Sequence, residues 1–397
     1  MNRLFGVFVF LFFGIACSVA HGIERTSRSP EPSHTSFSLA VNGYGISLGN
    51  SRAINGIRVN FVDHGLKGVN GLNITLWRPR RNPEAVINGL AIGLLALQAR
   101  TINGLAIGGL AVVADGDLTG INVGGLATVS DGRTTGLNLA GMAVVADGDL
   151  TGINVGGLAT VSDGQTTGLN LAGMAVVADG DLTGINVGGL ATVSDGNTTG
   201  LNLAGMAVVA DGDLTGINIG GLATVSDDNT TGLNLAGLAV VSGEDIRGIT
   251  LTPGVVYAEE DLSGIVLGGI CSISKDRDSN RRFTVRGLCA VNATGLAIHG
   301  IDIDIGKRLT GAGIGGIRVK AREIKGMALA SVLVSAGKLT GFSMGMVNYI
   351  DRRQTGLTIG LFNYARRLNG VQLGLLNYAR NNSGLLRLLP VVNAHFD

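Results

Sequence analysis

Apolar and polar positions recur along the middle of the chain on an unbroken spacing of 16 residues, marked by Gly104, Gly120, Gly136, Gly152, Gly168, Gly184, Gly200, Gly216, Gly232, Gly248 and Gly264. With that glycine as position 0, position 1 is Ile or Leu, position 2 Asn, position 3 Val or Leu and position 4 small, a period of two that predicts a strand. Positions 5 to 10 form a second alternating run, and Asp-Gly at positions 11 and 12, as in Asp147-Gly148, is a turn signal. A helix is excluded by the glycine load, at nearly ~1 kcal/mol per residue. Two half-repeats alternate, one beginning Gly120-Ile121-Asn122-Val123 and the other Gly136-Leu137-Asn138-Leu139, so identity returns every 32 residues. Weaker copies start at Gly56, Gly71 and Gly89, and again at Gly295, Gly311, Gly326, Gly341, Gly356 and Gly370. A unit this short cannot bury its own apolar face and must stack on its neighbours. The pattern predicts an all-β chain, a β-solenoid of about twenty two-stranded rungs with a 14–16-residue period, about 100 Å long at ~4.8 Å per rung.

The divergent units set the expected faces. After Gly295 the second run reads Ile301-Asp302-Ile303-Asp304-Ile305, and after Gly311 it reads Ile317-Arg318-Val319-Lys320-Ala321. Charge belongs outside unless paired, so positions 6, 8 and 10 are expected inside and 7 and 9 outside. Parallel stacking then sets Asp302 beside Arg318 and Asp304 beside Lys320 as cross-rung ion pairs. In the regular units position 9 becomes an outward valine ladder, Val113, Val129, Val145, Val161, Val177, Val193, Val209, Val225 and Val241, with Ala111 through Ala239 beside it. That strip is a candidate interface, because soluble monomers seldom expose a contiguous apolar patch beyond several hundred Å². On the first strand the apolar positions 1 and 3 are expected inward. Asn122, Asn138, Asn154 and their successors are then expected outward as a hydrogen-bonded ladder. The threonines from Thr119 to Thr231 at position 15 are expected at a corner, and the aspartates from Asp115 to Asp227 at position 11 in exposed turns. Stacked carboxylates invite a cation, but these turns lack the nonapeptide of calcium-binding β-rolls.

Composition narrows the function. Glycine is 65 of 397 residues with only 6 prolines, and 45% of residues are hydrophobic, which excludes both collagen and a disordered chain. The net charge of +1 supplies no field for phosphate backbones, so nucleic acid is not an expected partner. Residues 1–20 read as a secretory signal, with Arg3, an apolar run from Leu4 to Ile15 and small residues ending at Ala20. Cys17 also allows a lipid-anchored form and membrane association through it. Residues 21–42 read as a polar linker, 43–384 as the solenoid and 385–397 as a C-terminal cap; a charged loop spans 275–282. Counting Arg282 as a substituted unit glycine puts Cys271 and Cys289 at position 7 of successive units. A disulfide is expected there in an exported chain.

Two enzyme-like strings occur. Gly341-Phe342-Ser343-Met344-Gly345 fits a nucleophile elbow and Gly311-Ala312-Gly313-Ile314-Gly315-Gly316 a dinucleotide fingerprint, but neither lies between a strand and a helix. The five histidines have no metal-ligand spacing. No catalytic residue, cofactor or metal site is expected. The last units, Gly341-Phe342-Ser343-Met344-Gly345-Met346-Val347-Asn348-Tyr349, Gly356-Leu357-Thr358-Ile359-Gly360-Leu361-Phe362-Asn363-Tyr364 and Gly370-Val371-Gln372-Leu373-Gly374-Leu375-Leu376-Asn377-Tyr378, resemble the Gly-Leu-x-x-Gly-Leu-x-Asn surface repeat of bacterial, notably leptospiral, proteins. The resemblance covers about 50 residues well and brings no catalytic residues. It implies an exported or outer-surface bacterial protein. The resulting expectation is a non-enzymatic envelope or surface protein with a structural, adhesive or self-associating role, its partner another copy or another surface protein. The alternatives are an outer-membrane β-barrel and a ligand- or ice-binding solenoid.

Overall fold

The computed structural model describes residues 36–77, 79–268, 273–274, 284–285 and 288–396. The chain winds as a β-solenoid of about 19 turns. In the regular part each turn has a long strand, such as Leu118–Gly124 or Thr134–Ala140, and a short one, such as Ala127–Ser130 or Ala143–Ala146. Long strands pair in parallel with long strands and short with short, Gly136 over Gly120 and Gly152 over Gly136. After Leu288 the two strands of a turn fuse around the corner into strands such as Asp302–Gly315 and Val347–Ile359. Parallel coils closed by corners differ from the antiparallel strands of an outer-membrane barrel, and the barrel alternative is set aside.

The glycine ladder has a steric cause. At Gly120 and Gly136 φ is 115° and 118°, a region L side chains rarely adopt. A Cβ on Gly136 would lie 2.1 Å from the carbonyl oxygen of Gly120 in the coil before it. Glycine is therefore demanded once per coil, and one glycine fixes the register of the next.

The interior differs from expectation on the first strand. Asn122, Asn138, Asn154, Asn170, Asn186, Asn202, Asn218 and Asn234 are completely buried, whereas Ile121, Ile153, Ile185 and Ile217 are exposed and their partners Val123, Val155 and Val187 half-buried. The reason is space and pairing. Gly124 faces inward at a corner so tight that a Cβ would sit 2.0 Å from the Ala127 carbonyl, so the cavity between the sheets suits small side chains. From Asn122 to Asn218 each Asn Nδ2 donates to the Oδ1 of the next coil at 2.8–2.9 Å, which pairs the buried amides along the column and leaves its end groups, Asn122 Oδ1 and Asn234 Nδ2, unpaired. On the second strand positions 8 and 10 are buried and 7 and 9 lie outward, but position 6 does not face the core. Leu126, Met142, Leu190 and Met206 stand exposed on the corner after the glycines.

Between the sheets, apolar and polar layers alternate. Ala140, Val144, Ala146 and Leu150 make one apolar cluster, and Ala172, Val176, Ala178 and Leu182 the next. The layer between holds hydroxyls: Thr160 Oγ1 donates to the Leu171 carbonyl at 3.0 Å and Ser162 Oγ to the Gly148 carbonyl at 2.8 Å. This 32-residue stripe makes an expectation. Deleting residues 152–183 restores the Leu150-Thr151-Gly184 junction and leaves Tm within a few degrees. Deleting 152–167 stacks Leu150 on Leu182 and Val144 on Val176, and the overpacking costs about 1–3 kcal/mol. Thermal unfolding followed by circular dichroism separates the two.

Both ends are closed by antiparallel strands. Ser36–Val41, which composition places in the linker, pairs with Tyr44–Gly49. Asn42 and Gly43 join them with φ of 52° and 82°, the Asn-Gly turn whose twist suits a hairpin. At the other end Leu388–His395 runs antiparallel along Phe362–Ala379. Near the N-terminus the Asn column is replaced by Arg58, fully buried, whose Nη1 lies 2.5 Å from Asp63 Oδ1 and donates to Asn73 Oδ1 at 2.8 Å.

Candidate functional surface

The inverted first strand turns two apolar columns to the outer face. Its column at position 1 runs Ile57, Leu72, Leu90, Leu105, Ile121 and Leu137, and continues without a polar residue through Ile265, Leu296, Ala312, Met327, Phe342, Leu357 and Val371. Position 3 is equally unbroken, from Val59 through Ile107, Val123 and Leu139 to Leu267, Ile298, Ile314, Leu329, Met344, Ile359 and Leu373. The threonines at position 15 lie on this face: Thr119, Thr135, Thr151, Thr167, Thr183, Thr199 and Thr215 are exposed as the second residue of the long strands, inside the strand and not at a corner. Alternation carries straight through the ladder glycine, so Leu118 points in and Thr119 out. On the N-terminal side the threonine column becomes Asn55, Asn70, Asn88 and Asn103, bonded coil to coil at 2.6–2.9 Å.

The valine ladder lies on the other sheet. Val113, Val129, Val145, Val161, Val177, Val193, Val209, Val225 and Val241 stack directly over one another. They are less accessible than the isoleucines, Val161 at 7% against Ile153 at 45%. The column then changes character through Tyr257, Cys289, Asp304, Lys320 and Ser335. It ends in a stack of Tyr349, Tyr364 and Tyr378, ring centroids 4.9 and 5.4 Å apart. Arg318 approaches Asp302 at 2.9 Å and Asp304 at 3.9 Å, and Lys320 approaches Asp304 at 3.9 Å. Such half-exposed pairs contribute little, about 0–1 kcal/mol each. The glycine after Gly264 in the ladder is Gly295. Cys289 stacks on Tyr257, so the turn containing it is the one Gly264 begins and not a separate unit; Arg282 lies outside the described residues. Cys271 and the charged loop 275–282 lie outside the described residues.

The aspartate edge is exposed from Asp131 to Asp227, whereas Asp115 is half-buried beside Arg81. Asp163 and Asp179 are held above the usual carboxylate range, first by partial desolvation and then by the neighbouring carboxylates, Asp179 and Asp147 for the former and Asp195 for the latter; Asp211 behaves likewise between Asp195 and Asp227. A raised folded-state pKa means the native chain binds protons more tightly than the unfolded one, so stability falls as pH rises through the range above ~3.8. Asp163→Asn with Asp179→Asn is expected to raise Tm at pH 7, with the advantage vanishing below about pH 4. A variant no more stable at pH 7 than the parent would refute this. The aspartates at position 13 work differently. Asp149 Oδ1 accepts the backbone N–H of Gln165 at 3.1 Å, and Asp181 Oδ1 that of Asn197 at 2.8 Å, one coil on.

Neither enzyme-like string forms a site. Ser343 is fully buried inside the long strand Leu333–Met344, and Gly311–Gly315 lies within the strand Asp302–Gly315. Among the described residues no three His, Cys, Asp or Glu side chains group to hold a metal ion. The Gly-Leu-x-x-Gly-Leu-x-Asn units instead supply a second buried amide ladder, Asn348 Nδ2 to Asn363 Oδ1 at 2.8 Å and Asn363 Nδ2 to Asn377 Oδ1 at 2.7 Å. No protein-family model, curated protein or solved structure matches the chain.

Proposed function

We propose that this is a non-enzymatic surface or envelope repeat protein, exported by its N-terminal signal, whose structural, adhesive or self-associating role is exerted through extended solenoid faces. The observation that carries the reading is the inside-out distribution of polarity: the amide ladder occupies the interior while two unbroken apolar columns run along the outer face. Such a patch far exceeds the several hundred Å² that a solitary soluble protein exposes. Expression of the full chain from Met1 in a bacterial host, followed by intact-mass analysis of the envelope and secreted fractions, tests it. A chain beginning at His21, or lipidated at Cys17, supports export. An uncleaved chain retained in the cytoplasm overturns it.

A ligand- or ice-binding solenoid is a second reading, favoured by one observation, the exposure of the threonine column on a regular strand face. Arrest of ice-crystal growth by the purified protein would support it, and unhindered growth would remove the ice-binding form.

A further inference from the structure

We propose that the long-strand face receives a second copy of this chain, packed face to face over the coils from Gly120 to Gly232. The inference rests on the extended-face reading above and names its partner. Three observations select this face and this occupant.

The first is area. A seven-residue strand is about 23 Å wide and eight coils about 38 Å long, so the regular coils alone present roughly 850 Å², close to the ~800 Å² per partner of a stable interface. The short-strand face, four residues wide, offers about half as much, and its valine column gives way to Tyr257, Asp304 and Lys320.

The second is charge. From Thr119 to Thr231 none of the three outward columns of this face carries a charged residue, and the threonine column meets one again only at Arg247. The charge-free window contains all the regular coils and extends N-terminally to Asn55, Ile57 and Val59.

The third is period. Ile121 and Val123 alternate with Leu137 and Leu139, then Ile153 and Val155 with Leu169 and Leu171, so the face repeats every two coils, about 9.6 Å. A rigid surface repeating at the same interval over eight coils is another copy of this stack. Two such faces related by a twofold axis interdigitate as dry β-zippers do, and the isologous contact closes at two copies.

Sedimentation velocity of the exported protein at micromolar concentration without detergent tests this. The parent is expected at twice the monomer mass. Ile153→Lys/Leu169→Lys/Ile185→Lys is expected to be monomeric, as is Thr151→Lys/Thr167→Lys/Thr183→Lys, whose substitutions fall on exposed positions and are expected to leave the fold intact by circular dichroism. Val145→Lys/Val177→Lys is expected to remain dimeric. A dimer that survives both long-face variants, or that only the valine variant dissociates, overturns the assignment while leaving the extended-face reading in place. A monomeric parent that co-sediments with phosphatidylethanolamine–phosphatidylglycerol vesicles overturns the second copy in favour of a lipid surface. The extended-face reading itself fails on a different result, a parent that is monomeric and does not co-sediment with the vesicles.

Discussion

Gly168→Val is expected to break the stack in two. Gly168 has φ of 120°, and a Cβ there would lie 2.1 Å from the Gly152 carbonyl oxygen. The backbone conformation alone costs roughly 1–2 kcal/mol for an L side chain, and more for a β-branched one. The clash is with backbone, which cannot rotate away. Relief requires the coils to separate, and every parallel hydrogen bond between the strands Leu150–Gly156 and Thr166–Ala172 is then at risk. Because each coil contacts only its neighbours, the damage stays local in space but divides the cooperative unit. Limited proteolysis should cut the variant near residue 168 into two resistant fragments, and circular dichroism should show a Tm well below that of the parent. Gly168→Ala should show a smaller loss in the same direction. An unchanged Tm for the valine variant would mean that the ladder glycines are not sterically required.

The second large effect belongs to the amide ladder, and it depends on position. Asn170 Oδ1 accepts from Asn154 and its Nδ2 donates to Asn186, both at 2.8 Å. Asn170→Ala leaves a donor on one side and an acceptor on the other, both buried, at about 1–3 kcal/mol each. Asn122 stands at the end of the ladder, where its own Oδ1 has no partner in any case. Asn122→Ala orphans only the Oδ1 of Asn138, so roughly half the loss is expected. Urea denaturation of the two variants gives the comparison. Equal losses would mean that the cost comes from the cavity and not from unpaired amides.

The parts that were legible in the sequence are those that depend on repetition. Identical residues every 16 positions can stack only in register, so the parallel pairing of Asp302 with Arg318, or of Val129 with Val145, follows from counting. The hairpin at Asn42-Gly43 was missed: the polar composition of residues 21–42 reads as a linker and hides the strand Ser36–Val41, although the Asn-Gly dipeptide carries a turn signal. The outer face was not legible. Ile121 and Val123 are apolar and Asn122 is polar, so transfer free energy applied residue by residue puts the asparagine outside.

By itself, then, the sequence determined that the chain coils and, wherever the ladder glycines recur without interruption, where each coil begins and which residues lie over one another, because glycine spacing and identity between repeats leave one register; between Gly264 and Gly295 it misplaced the unit boundary. Only the tertiary structure decided which side of the long strand faces in. That choice is collective: eight amides stacked in register are joined by seven hydrogen bonds, and two sheets held close at Gly124 have room for Asn, Thr and Ala but none for a second row of Ile and Leu. The aliphatic side chains are displaced to the surface, where they form the face on which function is proposed.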